Sequence, residues 1–157
     1  MLPSLGGSAS EPTSRAGRKR QFDNRIVGRI QLIGMKPSDG GYKEAKIFSL
    51  VLIPLLGQYV LTLEEVGGQR LVPIWIGVNE GNAIGLKLQD EQLPRPMTHD
   101  LMNNVFKVLG VKVERVLISD LRDGTYYAVI SLSAGARRFE IDARPSDAMA
   151  LAVRSET

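Results

Sequence analysis

The chain is most informative for what it lacks. Its 157 residues include no cysteine and one histidine, His99. Disulfide bonds, catalytic thiolates, iron–sulfur clusters and zinc–thiolate sites are therefore excluded, as is a metal site built from several histidines of one chain. The longest apolar run, residues 47–56, contains Ser49 and Pro54. It is far shorter than the ~20 residues that a membrane-spanning helix needs.

The N-terminal region has few large apolar side chains and is rich in Gly, Ser, Pro and Arg. Such a composition cannot bury enough surface to offset the entropy of ordering. We therefore predict that residues 1–44 form a basic, disordered or loosely ordered tail and linker, in which residues 26–35 can add a strand or a short helix. The basic cluster at 15–20 can attract nucleic acid or acidic lipid, or be a solvated tail. No secretory signal is recognisable, which predicts a cytoplasmic location.

The net charge of +3 is confined to the first 25 residues. These contain five basic and two acidic residues, and subtracting them from the totals of 20 and 17 leaves 15 of each sign in residues 26–157. A domain that grips duplex phosphates usually carries a basic excess. The balance of charge weakens the case for nucleic-acid binding, although a local basic patch remains compatible with it.

The pattern of residues 45–157 predicts one compact domain. Pro73 predicts that its strand lies at the edge of a sheet or contains a bulge, and Asp123-Gly124 is typical of a hairpin turn. The β-rich segments, separated by short turns, lie at 46–55, 58–64, 70–76, 111–119, 125–133 and 137–143. They predict two antiparallel meanders.

Three short helices are predicted between and after these strands. Asn79 is a candidate N-cap for the first, Thr98 for the second, which Gly110 ends, and the third lies within 145–154. The apolar positions 101, 102, 105, 106 and 109 define one face of the second helix. The expected fold class is therefore α+β, with an antiparallel or mixed sheet. Two helices are preceded by Arg-Pro, a hydroxyl residue and an aspartate, which can indicate a pseudo-duplicated unit.

Three segments, in order, resemble the bifunctional nuclease family: VPIWIG at 72–77, LPRPMTHDL at 93–101 and IDARPSDAMA at 141–150. The stretch at 113–128 also fits, and the resemblance covers about residues 47–154. It implies a compact α+β domain, often dimeric, with nuclease activity on DNA and RNA. Similar proteins continue past the position of Thr157 into a further strand, and its absence is expected to leave a sheet edge unpaired.

Hydrolysis of a phosphodiester needs an activated water and stabilisation of charge on the phosphate oxygens. Without cysteine, carboxylates that hold Mg²⁺ or Mn²⁺ are the usual means, assisted by Arg or His, and no organic cofactor is expected. The predicted catalytic residues are His99, Asp100, Asp142, Arg144 and Asp147, the predicted substrate-binding residues are Arg95 and Arg144, and the predicted metal ligands are Glu80, Asp142 and Asp147.

Each candidate also has a structural interpretation. Asp100 and Asp147 suit helix caps or first-turn acids. Arg95 and Arg144 can pair with these aspartates and hold two loops together. His99, beside a helix start, can be a structural hydrogen bonder rather than a general base.

Three classes of function are therefore compared. The first is a metal-dependent nuclease of DNA and RNA, with His99 as the general base. The second is a non-catalytic, dimeric regulatory or binding module that docks an anion or a partner protein on the same Arg, Asp and His loops. The third is a dimeric scaffold whose polar motifs lock two subunits together. Separately, Trp75 in its apolar strand is expected in the core or in a dimer interface. The resemblance favours the first class, with nucleic acid and a second copy as partners, and the neutral charge favours the other two.

Overall fold

The computed structural model describes residues 41–155 and, by their backbone alone, residues 33–35. The predicted disordered tail lies mostly outside these residues, at 1–32 and 36–40. Within the described part of the chain, no helix is long and apolar enough to cross a membrane.

The first half of the domain is an antiparallel meander that leads directly into a helix. A short strand, β1 (Ile33–Met35), precedes the meander of β2 (Lys43–Ile53), β3 (Gln58–Glu65) and β4 (Leu71–Gly77), and α1 (Val78–Leu88) follows without a loop. Each strand pairs with its neighbour in sequence. The predicted first meander and its helix are confirmed.

The second half repeats this arrangement after one intervening helix. Helix α2 (Thr98–Val108) precedes the meander of β5 (Val111–Arg122), β6 (Thr125–Ala134) and β7 (Arg137–Ala143), which leads into α3 (Pro145–Ala152). The β5–β6 turn is the predicted Asp123-Gly124 hairpin, with both residues at positive φ. The fold class is α+β, as predicted.

Strand β1 joins the two meanders into one sheet. It pairs antiparallel with β2 and parallel with β5, so the strand order is β4-β3-β2-β1-β5-β6-β7. Residues 33–35 therefore sit at the centre of the sheet, ahead of the predicted domain start at residue 45. Strand β4 lies at one edge of the sheet, which is where a proline is tolerated in a strand.

The two halves share one arrangement, three strands followed by a helix. The repeated Arg-Pro motif does not lie at equivalent positions of the two halves. Helices α1 and α3 both follow the third strand of a meander, and they contact each other. The Arg-Pro echo precedes α2 and α3, whereas the counterpart of α3 is α1. Helix α2 is an element inserted between the units.

One face of the sheet is buried beneath the helices. Alternate residues of the strands supply it, such as Leu61 and Leu63 of β3 and Ile74 of β4, each at most 3% exposed. Trp75, the next residue on β4, points to the other face and is 55% exposed. The core location considered for Trp75 is therefore wrong for this chain, and its role in an interface stays a prediction.

Helix α1 approaches β3 closely at a glycine. The Tyr59 ring lies against Gly81, where a Cβ atom would overlap the ring. The Tyr59 hydroxyl also donates a hydrogen bond to Asn82 Oδ1 at 2.9 Å. These contacts fix the first turn of α1, and with it the direction of Glu80.

The starts of α1 and α2 differ from the predicted caps. The N-cap positions are occupied by Gly77 and Met97, and neither provides a side-chain cap. Instead, Asp100 in the first turn of α2 accepts a hydrogen bond from the Met97 N–H at 2.9 Å. The first-turn role considered for Asp100 is thus confirmed, whereas Thr98 is not the cap.

Helix α2 is packed with its polar side inward. His99, Asp100 and Asn103 are half-buried and hydrogen bond to residues in or just after α3. Most of the predicted apolar face turns outward, and no residue of α2 is fully buried. Val108 is 85% exposed and Leu109 is 68% exposed. Only Phe106 packs against the core, because the inner positions are taken by hydrogen-bonding side chains.

Candidate functional site

The centre of the site is the start of α3. Pro145 at the first helical position fixes φ for the helix start, and Arg144, the N-cap residue, lies one turn before Asp147. The Arg144 guanidinium therefore grips the Asp147 carboxylate with two hydrogen bonds, Nε to Oδ2 at 2.7 Å and Nη2 to Oδ1 at 3.1 Å. This forked pair is the geometry for which arginine is suited.

Two other helices contribute to the same cluster. Glu80, in the first turn of α1, accepts a hydrogen bond from Arg144 Nη1 at 3.2 Å. His99, in the first turn of α2, places Nε2 at 3.2 Å from Asp147 Oδ1. We call Glu80, His99, Arg144 and Asp147 the ion network. It confirms the expected pairing of Arg144 with Asp147.

The His99 imidazole has no nitrogen that is both exposed and free. Because the ionised Asp147 cannot donate, Nε2 carries the proton and donates to it. The other nitrogen, Nδ1, is buried and has no hydrogen-bond partner among the described residues. In this arrangement His99 orients Asp147, which is the structural role, and the general-base role requires the ring to move.

The ion network favours the ionised form of Asp147. Burial disfavours the charge, but the hydrogen bonds from Arg144 and His99 and the positive charge of Arg144 outweigh it and lower the pKa of Asp147. The hydrogen bonds to Asp147 in turn raise the pKa of Arg144. Both groups are therefore charged throughout the neutral pH range.

Asp100 belongs to a different pair. Its Oδ1 accepts a hydrogen bond from Arg154 Nε at 2.6 Å, and the Arg154 side chain is only 4% exposed. The same guanidinium donates to the carbonyl oxygens of Ala150 at 2.9 Å and Ala83 at 3.0 Å. Asp100 Oδ1 is thus engaged by Arg154 and Oδ2 by the Met97 N–H, so the structure separates Asp100 from the ion network.

The remaining predicted residues lie at the margin of the site. Asp142, near the end of β7, is exposed and lines the same cavity as the ion network. Arg95 is exposed in the loop before α2 and does not line that cavity. The structure thus brings Glu80, Asp142, Arg144 and Asp147 into one region with His99.

The predicted metal ligands do not fit a divalent cation in this arrangement. Arg144 bridges Glu80 and Asp147, so a guanidinium occupies the space between the two carboxylates. Among residues 33–35 and 41–155, no three His, Asp or Glu side chains are grouped so that they could hold a metal ion. A metal would first have to displace Arg144 from one carboxylate.

A cavity of about 530 Å³ lies beside the ion network. Its charged side is formed by that network and Asp142. Its apolar side is formed by residues from the sheet and all three helices: Ala83, Met97, Met102, Ile130, Ile141 and Leu151. Ile141 is 47% exposed although it points to the helix-covered face of β7, because the cavity opens above it.

The sequence of residues 61–157 matches the family model of the bifunctional nuclease domain, which is more than half of the chain. The chain belongs to the bifunctional nuclease family. Two uncharacterised proteins from different strains of Mycobacterium tuberculosis are each 44% identical to it over 97 residues. The shared segment is 62% of this chain and 57% of theirs, so it spans little more than half the length of these relatives.

The bifunctional nuclease match contains the whole ion network. It begins at Leu61 in β3, so β2 and β1 lie outside the match although they belong to the same sheet. The three motifs that carry the resemblance supply Gly77 at the start of α1, His99 in α2 and Arg144 with Asp147 in α3. The motifs therefore converge on one site.

Sequence reasoning missed two features of this bifunctional nuclease domain. The first is Arg154, whose only signal is an arginine that directly follows the apolar run at 148–153. The second is the apolar side of the cavity, formed by residues such as Met102 and Ile141. No local signal marks them, because they come together from different elements.

Proposed function

We propose that this bifunctional nuclease domain hydrolyses phosphodiester bonds of DNA and RNA. The observation that supports the proposal best is the convergence of the ion network at the edge of one cavity. A helix cap requires one side chain, whereas here an arginine, a histidine and two carboxylates from three helices meet. Clusters of ionisable groups that interact with one another in a cleft are typical of functional sites.

Arg144 is the residue that we assign to the phosphate. Its side chain is 66% exposed, and a guanidinium matches the geometry of two phosphate oxygens. A bound phosphate would share this guanidinium with Asp147 and Glu80. Arg144 then stabilises the negative charge that develops on the non-bridging oxygens as water attacks.

Asp147 is the residue that we assign as general base. Arg144 holds the pKa of Asp147 low, so a phosphate that draws on the Arg144 charge raises that pKa and makes the carboxylate a better proton acceptor. Asp147 accepts a proton from the attacking water as the water oxygen bonds to phosphorus; the P–O bond to the sugar oxygen breaks, and that leaving oxygen takes a proton from solvent. His99 is a positioning residue in this scheme, because its Nε2 keeps the carboxylate in place.

Cleavage of labelled RNA and DNA by the wild-type protein tests the proposal. A double variant, Asp142→Ala with Asp147→Ala, is purified in parallel. We expect cleavage by the wild type and its loss in the double variant, with circular dichroism unchanged. Equal cleavage by both preparations would indicate a contaminating nuclease and contradict the proposal, and no cleavage by either would favour the binding module described below.

Assistance by Mg²⁺ or Mn²⁺ has a separate test. Because the Arg144 guanidinium already lies between Glu80 and Asp147, we expect millimolar concentrations of either ion to leave the melting temperature of the wild-type protein unchanged. A ligand at 100 times its Kd would stabilise the folded state by about 2.7 kcal/mol. An increase in melting temperature that disappears in Asp147→Asn would instead support the metal-dependent mechanism.

A dimeric binding module is the second candidate function, and the outward face of α2 favours it. Leu101, Val105, Val108 and Leu109 are large apolar side chains exposed side by side on one helix. Contiguous apolar surface of this kind typically marks a contact with another molecule. In this alternative, a second copy covers the face, and the ion network docks an anion or a partner protein without hydrolysis.

The outward face of α2 leads to a prediction about association. We expect the wild-type protein to sediment as a dimer and Val108→Glu to shift it toward the monomer, since a buried unpaired carboxylate opposes the contact. The matched control is Leu55→Glu in the β2–β3 turn, where the side chain is 98% exposed. A monomeric wild-type protein, or an equal effect of both substitutions, would contradict a dimer through α2.

A further inference from the structure

The cavity beside the ion network has two chemically different sides. Glu80, Arg144 and Asp147 form the charged side, and residues such as Met102 and Ile141 form the apolar side. Ligand sites of 300–1,000 Å³ with mostly apolar walls and a few polar groups are typical for small molecules. At about 530 Å³, this cavity has the size for one small ring system attached to a charged group.

Phosphate contacts alone would bind a nucleic acid weakly here. Arg144 is the only Lys or Arg among the described residues that line the cavity, where three carboxylates are also present. The affinity of duplex binders comes largely from many Lys and Arg contacts to the phosphates. Binding energy at this cavity must therefore come mainly from its apolar side.

We infer that the cavity takes the unpaired base of single-stranded RNA or DNA, with the adjoining phosphate on Arg144. The inference rests on the proposed nuclease function and deepens it. A base has the flat, largely apolar surface that Met102 and Ile141 can cover. A base within a duplex would have to leave its stack at a cost of a few kcal/mol, and one arginine at the cavity offers little to offset that cost.

The test measures binding rather than cleavage, so that it stands apart from the proposed function. A short fluorescent oligonucleotide with phosphorothioate linkages, which resist hydrolysis, is titrated with the full-length protein, as a single strand and as a duplex. The measurements are made at about 0.5 M salt, because high salt weakens phosphate contacts of the basic cluster at 15–20. We expect the single strand to bind at least about tenfold more tightly than the duplex, as for proteins that hold unpaired bases.

Met102→Gln probes the apolar side with little change in side-chain volume. Met102 is 39% exposed on α2, and we expect the substitution to weaken binding of the single strand by about tenfold, the loss of one base contact. Leu55→Gln, at a 98% exposed turn position outside the cavity, is the matched control and should bind as the wild type does. Ile141→Thr on β7 is a second probe from another element, and circular dichroism verifies the fold of each variant.

The outcomes separate the two proposals. Equal or tighter binding of the duplex, or wild-type affinity in both Met102→Gln and Ile141→Thr, would overturn the inference. Selective binding of the single strand without cleavage would support the inference and contradict the nuclease. Cleavage of duplex and single strand at equal rates would support the nuclease and overturn the inference.

Discussion

Replacing Asp147 by asparagine is expected to reduce cleavage of RNA and DNA by about 10²-fold or more, the usual contribution of a general base. Asparagine has the same shape and can still accept the hydrogen bond from His99 Nε2, but it cannot take a proton from water. The pair with Arg144 is two-thirds exposed on the arginine side, so the stability should change by about 1 kcal/mol or less. The measurements are kcat/KM and the urea midpoint.

The control for this experiment is Asp123→Asn, the same chemical change in the β5–β6 turn. Asparagine tolerates the positive φ of residue 123, so activity and stability should both be retained. Full activity of Asp147→Asn would exclude Asp147 as the base. A similar loss in both variants would show that the effect is not specific to the ion network.

The pH dependence of cleavage by the wild-type protein is a second test of the role proposed for Asp147. Because its pKa in the free protein is lowered from 3.8, kcat/KM should fall only when the pH drops below that value. The pH dependence of kcat reports the complex with substrate. On acidification kcat should fall at a higher pH than kcat/KM, since bound phosphate competes for Arg144. If kcat and kcat/KM fell at the same pH, this would contradict the proposed transfer of Arg144 from Asp147 to the phosphate.

The largest effect on stability is expected for Arg154→Met. Arg154 is 5% exposed and ties three helices together, and its removal leaves Asp100 without its cationic partner. Breaking a fully buried ion pair on one side typically destabilises a protein by about 3–5 kcal/mol, and the 32% exposure of the Asp100 side chain places the expected value at the lower end. We expect a loss of this size in the free energy of unfolding, measured with urea at neutral pH.

The chain contains a matched exposed pair for comparison. Arg122 Nε lies 2.7 Å from Asp120 Oδ2, against 2.6 Å for Arg154 and Asp100, but the Arg122 side chain is 67% exposed. Arg122 also lies over the Tyr127 ring. Arg122→Met should therefore leave the free energy of unfolding nearly unchanged. Equal losses in the two variants would show that burial does not set the strength of the Arg154 pair.

The ion pair of Arg154 with Asp100 should also affect how the free energy of unfolding changes at acid pH. Burial opposes the charge on Asp100, but the hydrogen bonds from Arg154 and the Met97 N–H outweigh it and lower the pKa of Asp100. The resulting stability is present above the ordinary pKa of 3.8 and is lost as the pH falls through the lower pKa of the folded state. Between neutral pH and acid, the wild type should lose more stability than Arg154→Met.

Much of the fold could be predicted from local sequence because its elements are marked by local signals. Alternating apolar residues define the strands, Pro73 identifies an edge, and Asp123-Gly124 closes a hairpin. The residues that cap the helix starts were harder to predict from the sequence. Asn79 and Thr98 have suitable side chains, but the chain enters α1 directly from β4, and Asp100 closes the first turn of α2 from within.

For the candidate site, the sequence predicted most of the residues but not how they are arranged in space. His99, Arg144 and Asp147 stand out because charged residues gather at helix starts in two motifs. Their assignment to one cluster, and that of Asp100 to another, depends on which helices pack together. Residues 48 positions apart, such as His99 and Asp147, meet only because α2 and α3 are neighbours.

The sequence by itself determined the strands, the helices and the kinds of charged group available, because periodicity, turns and composition act over a few residues. Only the tertiary structure decided that α2 turns its polar side inward, that Arg144 stands between Glu80 and Asp147, and that an apolar cavity opens beside them. These features depend on distances between elements remote in sequence. Such distances are set by the packing of helices on a shared sheet, which no local pattern encodes.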